Sequence, residues 1–263
     1  LATVYPVLME NFIYLPPELS PLGAVVLIGV SLLTSFISAA LSLGGGTIMV
    51  AVMAVLLPPT ALIPVHGIVQ LGSNGGRAAL LLKHIDIWSL WPFFVGTLIG
   101  VAIGGAVFVN IAPWAIEAGI GLFILWTVFG KMPSLGGRYL IGSGIFSAVL
   151  TMFFGATGPF ISAIVKTMKL DPVAHTGTHA IMMTAQHLLK VVAFGVLGFT
   201  FAPYIPLIVA MVICGQIGTV IGKRMLIKSG KTYFKPFLSG LLTILALRLL
   251  WTGLEGYLGR SLF

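Results

Sequence analysis

Charged residues are scarce in this sequence of 263 residues, which contains 14 lysines and arginines and 6 aspartates and glutamates. Soluble globular domains have roughly 25% charged residues, whereas this chain has 8%. It therefore has too few charged side chains to cover a surface that faces water. Soluble enzymes and nucleic-acid binders are thereby excluded, and we interpret the net charge of +8 through the distribution of Lys and Arg between two membrane faces. The single cysteine, Cys214, excludes an intramolecular disulfide and a multi-cysteine metal cluster.

Long apolar runs make up most of the chain. A run of about 20 residues is long enough to cross the hydrocarbon core of a bilayer as a helix. The sequence therefore predicts an all-α integral membrane protein. The ten runs are 20–41, 45–57, 62–82, 88–109, 113–130, 139–155, 158–169, 172–198, 204–222 and 236–252.

Two of these runs, 45–57 and 158–169, are shorter than the roughly 20 residues that match the hydrocarbon core, and each follows a glycine-rich interruption. The interruptions read Leu-Gly-Gly-Gly-Thr at 43–47 and Phe-Gly-Ala-Thr-Gly-Pro at 154–159. Irregular backbone at membrane depth is tolerated where it lines a cavity inside the protein. We therefore predict that segments 20–57 and 139–169 are broken helical hairpins; full crossings of both arms remain an alternative.

The two halves of the chain repeat each other. Proline and polar residues match, and not only apolar ones, when the sequence is shifted on itself by 113 or 114 positions. We therefore predict two membrane repeats, 20–130 and 136–255, that form one integrated transmembrane domain. The matched pairs are Pro59 with Pro172, Ala61 with Ala174, His66 with His179, Asn74 with His187, Arg77 with Lys190, Pro92 with Pro206 and Gly104 with Gly218.

The basic residues indicate how the repeats are oriented. If the N-terminus is outside and each broken hairpin returns to the side that it entered, ten of the fourteen basic residues lie on the cytoplasmic side. Each half then has three transmembrane helices and one hairpin, so the halves are inverted, as in many secondary transporters of the cytoplasmic membrane. The ten residues are Lys83, Lys131, Arg138, Lys166, Lys169, Lys223, Arg224, Lys228, Lys231 and Lys235.

Polar residues form a stripe on one helix face in each half. Such residues are expensive in lipid, so we expect both stripes to face the protein interior, where they line a path or join helices by hydrogen bonds. The first stripe is His66, Gln70, Asn74 and Arg77; the second is His175, His179, Gln186, His187 and Lys190.

The signs of these charges favour an anionic substrate. Arg77 and Lys190 lie inside apolar runs, whereas the acidic residues lie at or near helix ends and none is close to the membrane midplane. The short arm of each hairpin begins inside the membrane, which places backbone amides at the positive end of a helix, and glycine lets an oxyanion approach them. The acidic residues are Glu10, Glu18, Asp86, Glu117, Asp171 and Glu255.

Histidine offers two further functions. Its neutral and charged forms are close in energy near pH 7, which suits proton-coupled anion movement. His175 and His179 are spaced four residues apart and could alternatively hold a metal ion, but no acidic or cysteine ligand is near them in the sequence. We therefore predict no metal and no other cofactor. We also predict that the proton-motive force drives transport, because the sequence has no ATP-binding motif.

The sequence resembles the sulfite exporter TauE/SafE family of membrane permeases over roughly residues 20–255. The resemblance rests on Ala-Leu-Ser-Leu-Gly-Gly-Gly-Thr-Ile-Met-Val at 40–50, on Pro58-Pro59, on the helix at 67–77, and on 142–159 and 172–179 in the second half. It implies transport of sulfite, thiosulfate, sulfoacetate or other organosulfonates across the bacterial cytoplasmic membrane, often as export. The second break departs from the family's run of glycines, so the resemblance does not imply two equal half-sites.

Together these observations predict a secondary transporter of a small sulfur-containing anion. The alternatives are an anion channel and an intramembrane enzyme with a histidine-bound metal, and the sequence leaves open whether the protein forms a homo-oligomer. The residues predicted to bind the substrate are Gly45, Gly46, Thr47, Gln70, Asn74, Arg77, Thr157, Gly158, His179, Gln186, His187 and Lys190.

Overall fold

The computed structural model describes residues 15–16, 18–41, 44–108, 111–131, 139–228 and 235–259, with the backbone alone for 226–228 and 235–238. The predicted Glu10, Arg138 and Lys231 lie outside the described residues. The described chain is all-helical, as predicted, and has no strand. Its helices are α1 (Pro21–Leu41), α2 (Gly45–Leu56), α3 (Pro59–Leu80), α4 (Ile87–Phe108), α5 (Pro113–Phe129), α6 (Leu140–Phe154), α7 (Gly158–Lys166), α8 (Pro172–Val196), α9 (Ile205–Lys228) and α10 (Lys235–Tyr257).

Proline and aspartate determine where several helices begin. Pro59, Pro113 and Pro172 each occupy the first position of a helix, where a missing N–H costs no hydrogen bond. Asp171 caps α8, because its carboxylate accepts hydrogen bonds from the amides of Val173 at 2.9 Å and Ala174 at 3.0 Å. These two bonds lower the pKa of the Asp171 carboxyl, since they stabilise its charged form.

The two glycine-rich interruptions break the chain as predicted. Gly44, immediately before α2, has φ 94°, and Gly155, immediately after α6, has φ 75°. Both angles lie in the left-handed region, which side-chain-bearing residues rarely adopt. The second arm of each hairpin is short, because α2 has 12 residues and α7 has 9, so they extend for about 18 Å and 14 Å at 1.5 Å per residue.

Four helices of the described chain are long and apolar enough to cross a membrane. They include α1, which at 21 residues extends for about 31 Å and could cross without its short partner α2. Apolar side chains such as Leu22, Trp88 and Val196 are exposed on the outer surface, as expected where a protein faces lipid. The four candidate spans are Pro21–Ala40, Ile87–Phe108, Pro172–Val196 and Ala202–Met225.

Helices from the two halves pack against each other. α1 packs along α9, α6 packs along α4, and α5 packs along α10. Glycine permits close approach in two of these pairs: a Cβ on Gly218 would lie 2.1 Å from the carbonyl oxygen of Leu32, and one on Gly96 would lie 2.0 Å from that of Ile141. α3 also packs against α8, which brings the two polar stripes together.

Candidate functional site

Apart from the half-buried His175, the residues of the two polar stripes on α3 and α8 are buried. His66 and Lys190 are fully buried, and Arg77 is 3% exposed. An amphipathic helix in a membrane must turn its polar face away from lipid, and the contact between α3 and α8 meets this need for both helices. The other buried members of the stripes are Gln70, Asn74, His179, Gln186 and His187.

Both glycine-rich breaks and both stripes meet at one small cavity. Its volume is about 20 Å³, which is space for one or two water molecules. A ligand of several heavy atoms would fit only if the cavity widened. The cavity is lined by Ser38, Gly44, Gly46, Thr47, His66, Gln70, Asn74, Arg77, Gly155, Ala156, Gly158, Pro159, His179, Met183 and His187.

A histidine holds the first turn of the short helix in each half. The Nε2 atom of His66 lies 3.2 Å from the carbonyl oxygen of Gly46, at the start of α2. The Nε2 atom of His179 lies 3.1 Å from the carbonyl oxygen of Gly158, at the start of α7. The matched positions of the repeat therefore make the same kind of contact, which fixes each short helix relative to α3 or α8.

A chain of hydrogen bonds orients the polar groups of α3. The Nδ2 atom of Asn74 donates to the backbone oxygen of Gln70 at 2.8 Å and to its Oε1 atom at 3.1 Å. The Nη2 atom of Arg77 donates to the Oδ1 atom of Asn74. Asn74 therefore holds the guanidinium by one nitrogen, and the Nε and Nη1 atoms of Arg77 have no hydrogen-bond partner among the described residues.

Gln186 instead joins elements of the second half. Its Oε1 atom accepts a hydrogen bond from Thr157 Oγ1 at 2.6 Å, and its Nε2 atom donates to Ser147 Oγ at 2.8 Å. Ser35 and Ser73 make the corresponding contact in the first half, with their hydroxyl oxygens 2.9 Å apart. Both ends of the Gln186 amide are therefore committed to protein partners that tie the hairpin to α8.

Lys190 lies behind the cavity with its ammonium buried. The Nζ atom has no hydrogen-bond partner in the described part of the chain, and both ring nitrogens of His187 are likewise unpartnered. The Lys190 side chain passes over Gly67 of α3, where a Cβ would lie 3.0 Å from Lys190 Cε. The His187 ring lies edge-on to His66, with their centroids 5.8 Å apart.

One cationic side chain, Arg77, lines the cavity, and no carboxylate does. Of the six acidic residues, Glu10 lies outside the described residues and the other five do not line the cavity. A buried cation without a counter-ion is costly, by several kcal/mol per ion in order of magnitude. An unpaired guanidinium at the cavity, with an unpaired ammonium behind it, therefore favours an anionic occupant.

Eight of the twelve residues predicted to bind substrate line the cavity, and four do not. Of the four, Gly45 is pressed against α1, Thr157 and Gln186 bond to each other, and Lys190 lies deeper. Substrate binding by any of the twelve stays a prediction. The eight lining residues are Gly46, Thr47, Gln70, Asn74, Arg77, Gly158, His179 and His187.

Two polar residues of the cavity, Ser38 and His66, are missing from that predicted set. The repeat indicates His66 as a candidate, because it matches His179, which belongs to the predicted set. Ser38 carries a weaker signal, because Ser31, Ser35 and Ser38 lie on one face of α1, but a serine in an apolar helix commonly bonds to its own backbone. Its position beside the break follows from the packing of α2 against α1.

The geometry gives little support to a metal site at His175 and His179. Their ring centroids are 6.5 Å apart, and the Nε2 atom of each lies near a backbone carbonyl, Ser162 O at 3.3 Å for His175 and Gly158 O at 3.1 Å for His179. Within the described residues, three or more His, Cys, Asp or Glu side chains do not converge on a common point.

A second, larger cavity of about 290 Å³ lies at the other end of α2. Its charged lining residues are Glu18, Glu117 and Arg248, so acidic groups outnumber the basic one. Size alone would favour this cavity as a binding site. The charge balance does not favour an anion there, and the smaller central cavity is therefore the candidate site.

The fold and the site together define a helical membrane protein with a polar cavity at the meeting point of two broken hairpins. The sequence model of the family described as Sulfite exporter TauE/SafE matches residues 27–249, most of the chain. The chain therefore belongs to the sulfite exporter TauE/SafE family of membrane transporters. No curated protein and no solved structure matches it significantly.

Proposed function

We propose that this protein is a secondary transporter of a small sulfur-containing anion such as sulfite, thiosulfate, sulfoacetate or another organosulfonate. The observation that carries the proposal is the central cavity, where both hairpin breaks meet beside a guanidinium that has two unpartnered nitrogens. Membership of the sulfite exporter TauE/SafE family supports the substrate class.

The substrate's oxygens would be bound by Arg77, by the hydroxyl of Thr47 and by the amides at the starts of α2 and α7. The Thr47 hydroxyl is buried and has no partner in the described chain, so it is free to donate to an anion. Helix N-termini favour negative charge through their free N–H groups and the helix dipole. Lys190 would add positive potential from behind the cavity.

Alternating access would follow from movement of one inverted repeat, 20–130, against the other, 136–255. The packing of α1 on α9 and of α6 on α4 supports this, because each pair joins a helix of one half to a helix of the other. A two-fold relation between the halves would produce both pairs. In this proposal the protein lies in the bacterial cytoplasmic membrane with its N-terminus outside. Protons would drive transport, with the cavity histidines as the candidate proton sites.

The proposal is tested by measuring uptake of radiolabelled sulfite into proteoliposomes with an imposed pH gradient. We expect accumulation against the sulfite gradient, and its loss when the pH gradient is collapsed. Accumulation that survives the collapse would refute proton coupling but leave a carrier in place. Passive equilibration without accumulation would instead indicate an anion channel.

Arg77→Gln is the informative variant, and Arg224→Gln is its matched control. Arg77 is buried at the cavity, whereas Arg224 is exposed in α9, so both changes remove one guanidinium but only the first removes it from the site. We expect Arg77→Gln to reduce sulfite uptake at least about tenfold, since charge-assisted hydrogen bonds contribute about 1.5–3 kcal/mol. Equal uptake by the two variants would refute the role of Arg77.

A further inference from the structure

The contacts of His66 and His179 determine which ring nitrogen of each carries the proton. A carbonyl oxygen can only accept a hydrogen bond, so the Nε2 atoms that face Gly46 and Gly158 must be the protonated ones. An added proton would place another unpaired positive charge among buried cations, so the neutral ring is the favoured form. In a neutral imidazole the other nitrogen, Nδ1, is then an acceptor.

Both Nδ1 atoms are buried acceptors without a partner in the described chain. His66 is 0% exposed and His179 is 3% exposed, and both residues line the cavity. The Nδ1 atom of His66 lies beside the other half's break, because a Cβ on Gly155 would lie 3.2 Å from it. An unsatisfied buried acceptor costs about 1–3 kcal/mol, so an occupant that donates a hydrogen bond relieves that cost.

The cavity therefore offers donors and acceptors together. Arg77 and Thr47 have free donor groups that suit anionic oxygens. The two Nδ1 atoms suit an O–H or N–H group on the same occupant. An anion with oxygens alone would satisfy the donors but leave the histidine acceptors unsatisfied.

We infer that the site selects a sulfur oxyanion that carries its own hydrogen-bond donor, over one that offers only oxygens and apolar atoms. Hydrogen sulfite and sulfonates with an O–H or N–H group beside the sulfur have this chemistry. The inference rests on the proposed function, because it specifies the substrate class of the same site.

Sulfamate and methanesulfonate test the inference, since both are monoanions of similar shape and only sulfamate has N–H groups. Calorimetric titration of the purified full-length protein in detergent would compare their affinities, with sulfite as a reference. We expect sulfamate to bind about tenfold more tightly, which corresponds to about 1.4 kcal/mol. Equal affinities, or tighter binding of methanesulfonate, would overturn the inference and leave the proposed function intact.

The double variant His66→Gln/His179→Gln separates the two ring nitrogens. Glutamine can still donate to the carbonyls of Gly46 and Gly158, as Nε2 does, but no ring fixes its acceptor, Oε1, at the Nδ1 position. We expect the preference for sulfamate to disappear in this variant and to persist in His175→Gln, a control whose residue does not line the cavity.

A preference that persists in the double variant would overturn the assignment to these histidines. If the double variant does not fold, the comparison of the two anions on the unmodified protein still decides the inference. Failure of the unmodified protein to bind sulfamate, methanesulfonate and sulfite would overturn the proposed function, and with it the inference.

Discussion

Replacing Lys190 by methionine should stabilise the protein while it impairs transport. The ammonium is fully buried and its Nζ atom has no partner among the described residues, so the folded state bears an uncompensated desolvation cost. Methionine has a similar length and leaves little empty volume beside Gly67, which the lysine crosses. We expect a gain of about 2–4 kcal/mol in the free energy of unfolding, since a buried ion costs several kcal/mol.

At about 2–4 °C per kcal/mol for a chain of this size, the gain corresponds to a rise of about 4–16 °C in melting temperature, measurable by thermal unfolding in detergent. Lys83→Met is the matched control, because Lys83 is exposed and its replacement should change the free energy by less than about 0.5 kcal/mol. Added sulfite should stabilise the unmodified protein more than Lys190→Met. A Lys190→Met protein with an unchanged or lower melting temperature and normal uptake would refute the reasoning.

Two further substitutions probe the hairpin breaks. Gly45→Ala should lower the free energy of unfolding by about 1–3 kcal/mol, because a Cβ would lie 1.9 Å from the carbonyl oxygen of Thr34 and force α1 and α2 apart. Gly29→Ala is the control, because nothing lies within 4 Å of the added Cβ, and its free energy of unfolding should match that of the unmodified protein. An equal decrease in the free energy of unfolding of both variants would contradict this account. Thr157→Val should cost about 1–3 kcal/mol in the same measurement, because it leaves one acceptor of the buried Gln186 unpaired; an unchanged free energy would show that water replaces the hydroxyl.

The helices and the breaks could be predicted closely because their signals are local. Apolar run length predicted helices such as α4, and glycine predicted the interruptions at Gly44 and Gly155, where the backbone adopts positive φ angles. The matched histidines at 66 and 179 also came from the sequence, through the repeat. Their common contact with a short helix did not, because it depends on how α3 and α8 rotate against the hairpins.

The predicted site was less complete, and Gln186 shows why. From the sequence it is one member of a polar stripe, and a stripe places side chains on a face without stating which of them reach an open space. In the structure its amide is held by Thr157 and Ser147, whereas Ser38, on a helix whose polar residues are only serine and threonine, reaches the cavity.

The sequence by itself determined the class of the protein, the broken hairpins and the positive sign of the intramembrane charge. These are properties of composition and of short segments, so they need no knowledge of packing. The tertiary structure alone decided which polar groups share the cavity and which are satisfied by neighbours. That outcome depends on the rotation of α3 and α8, which leaves two nitrogens of the Arg77 guanidinium and the Nδ1 atoms of His66, His179 and His187 without protein partners in the described chain.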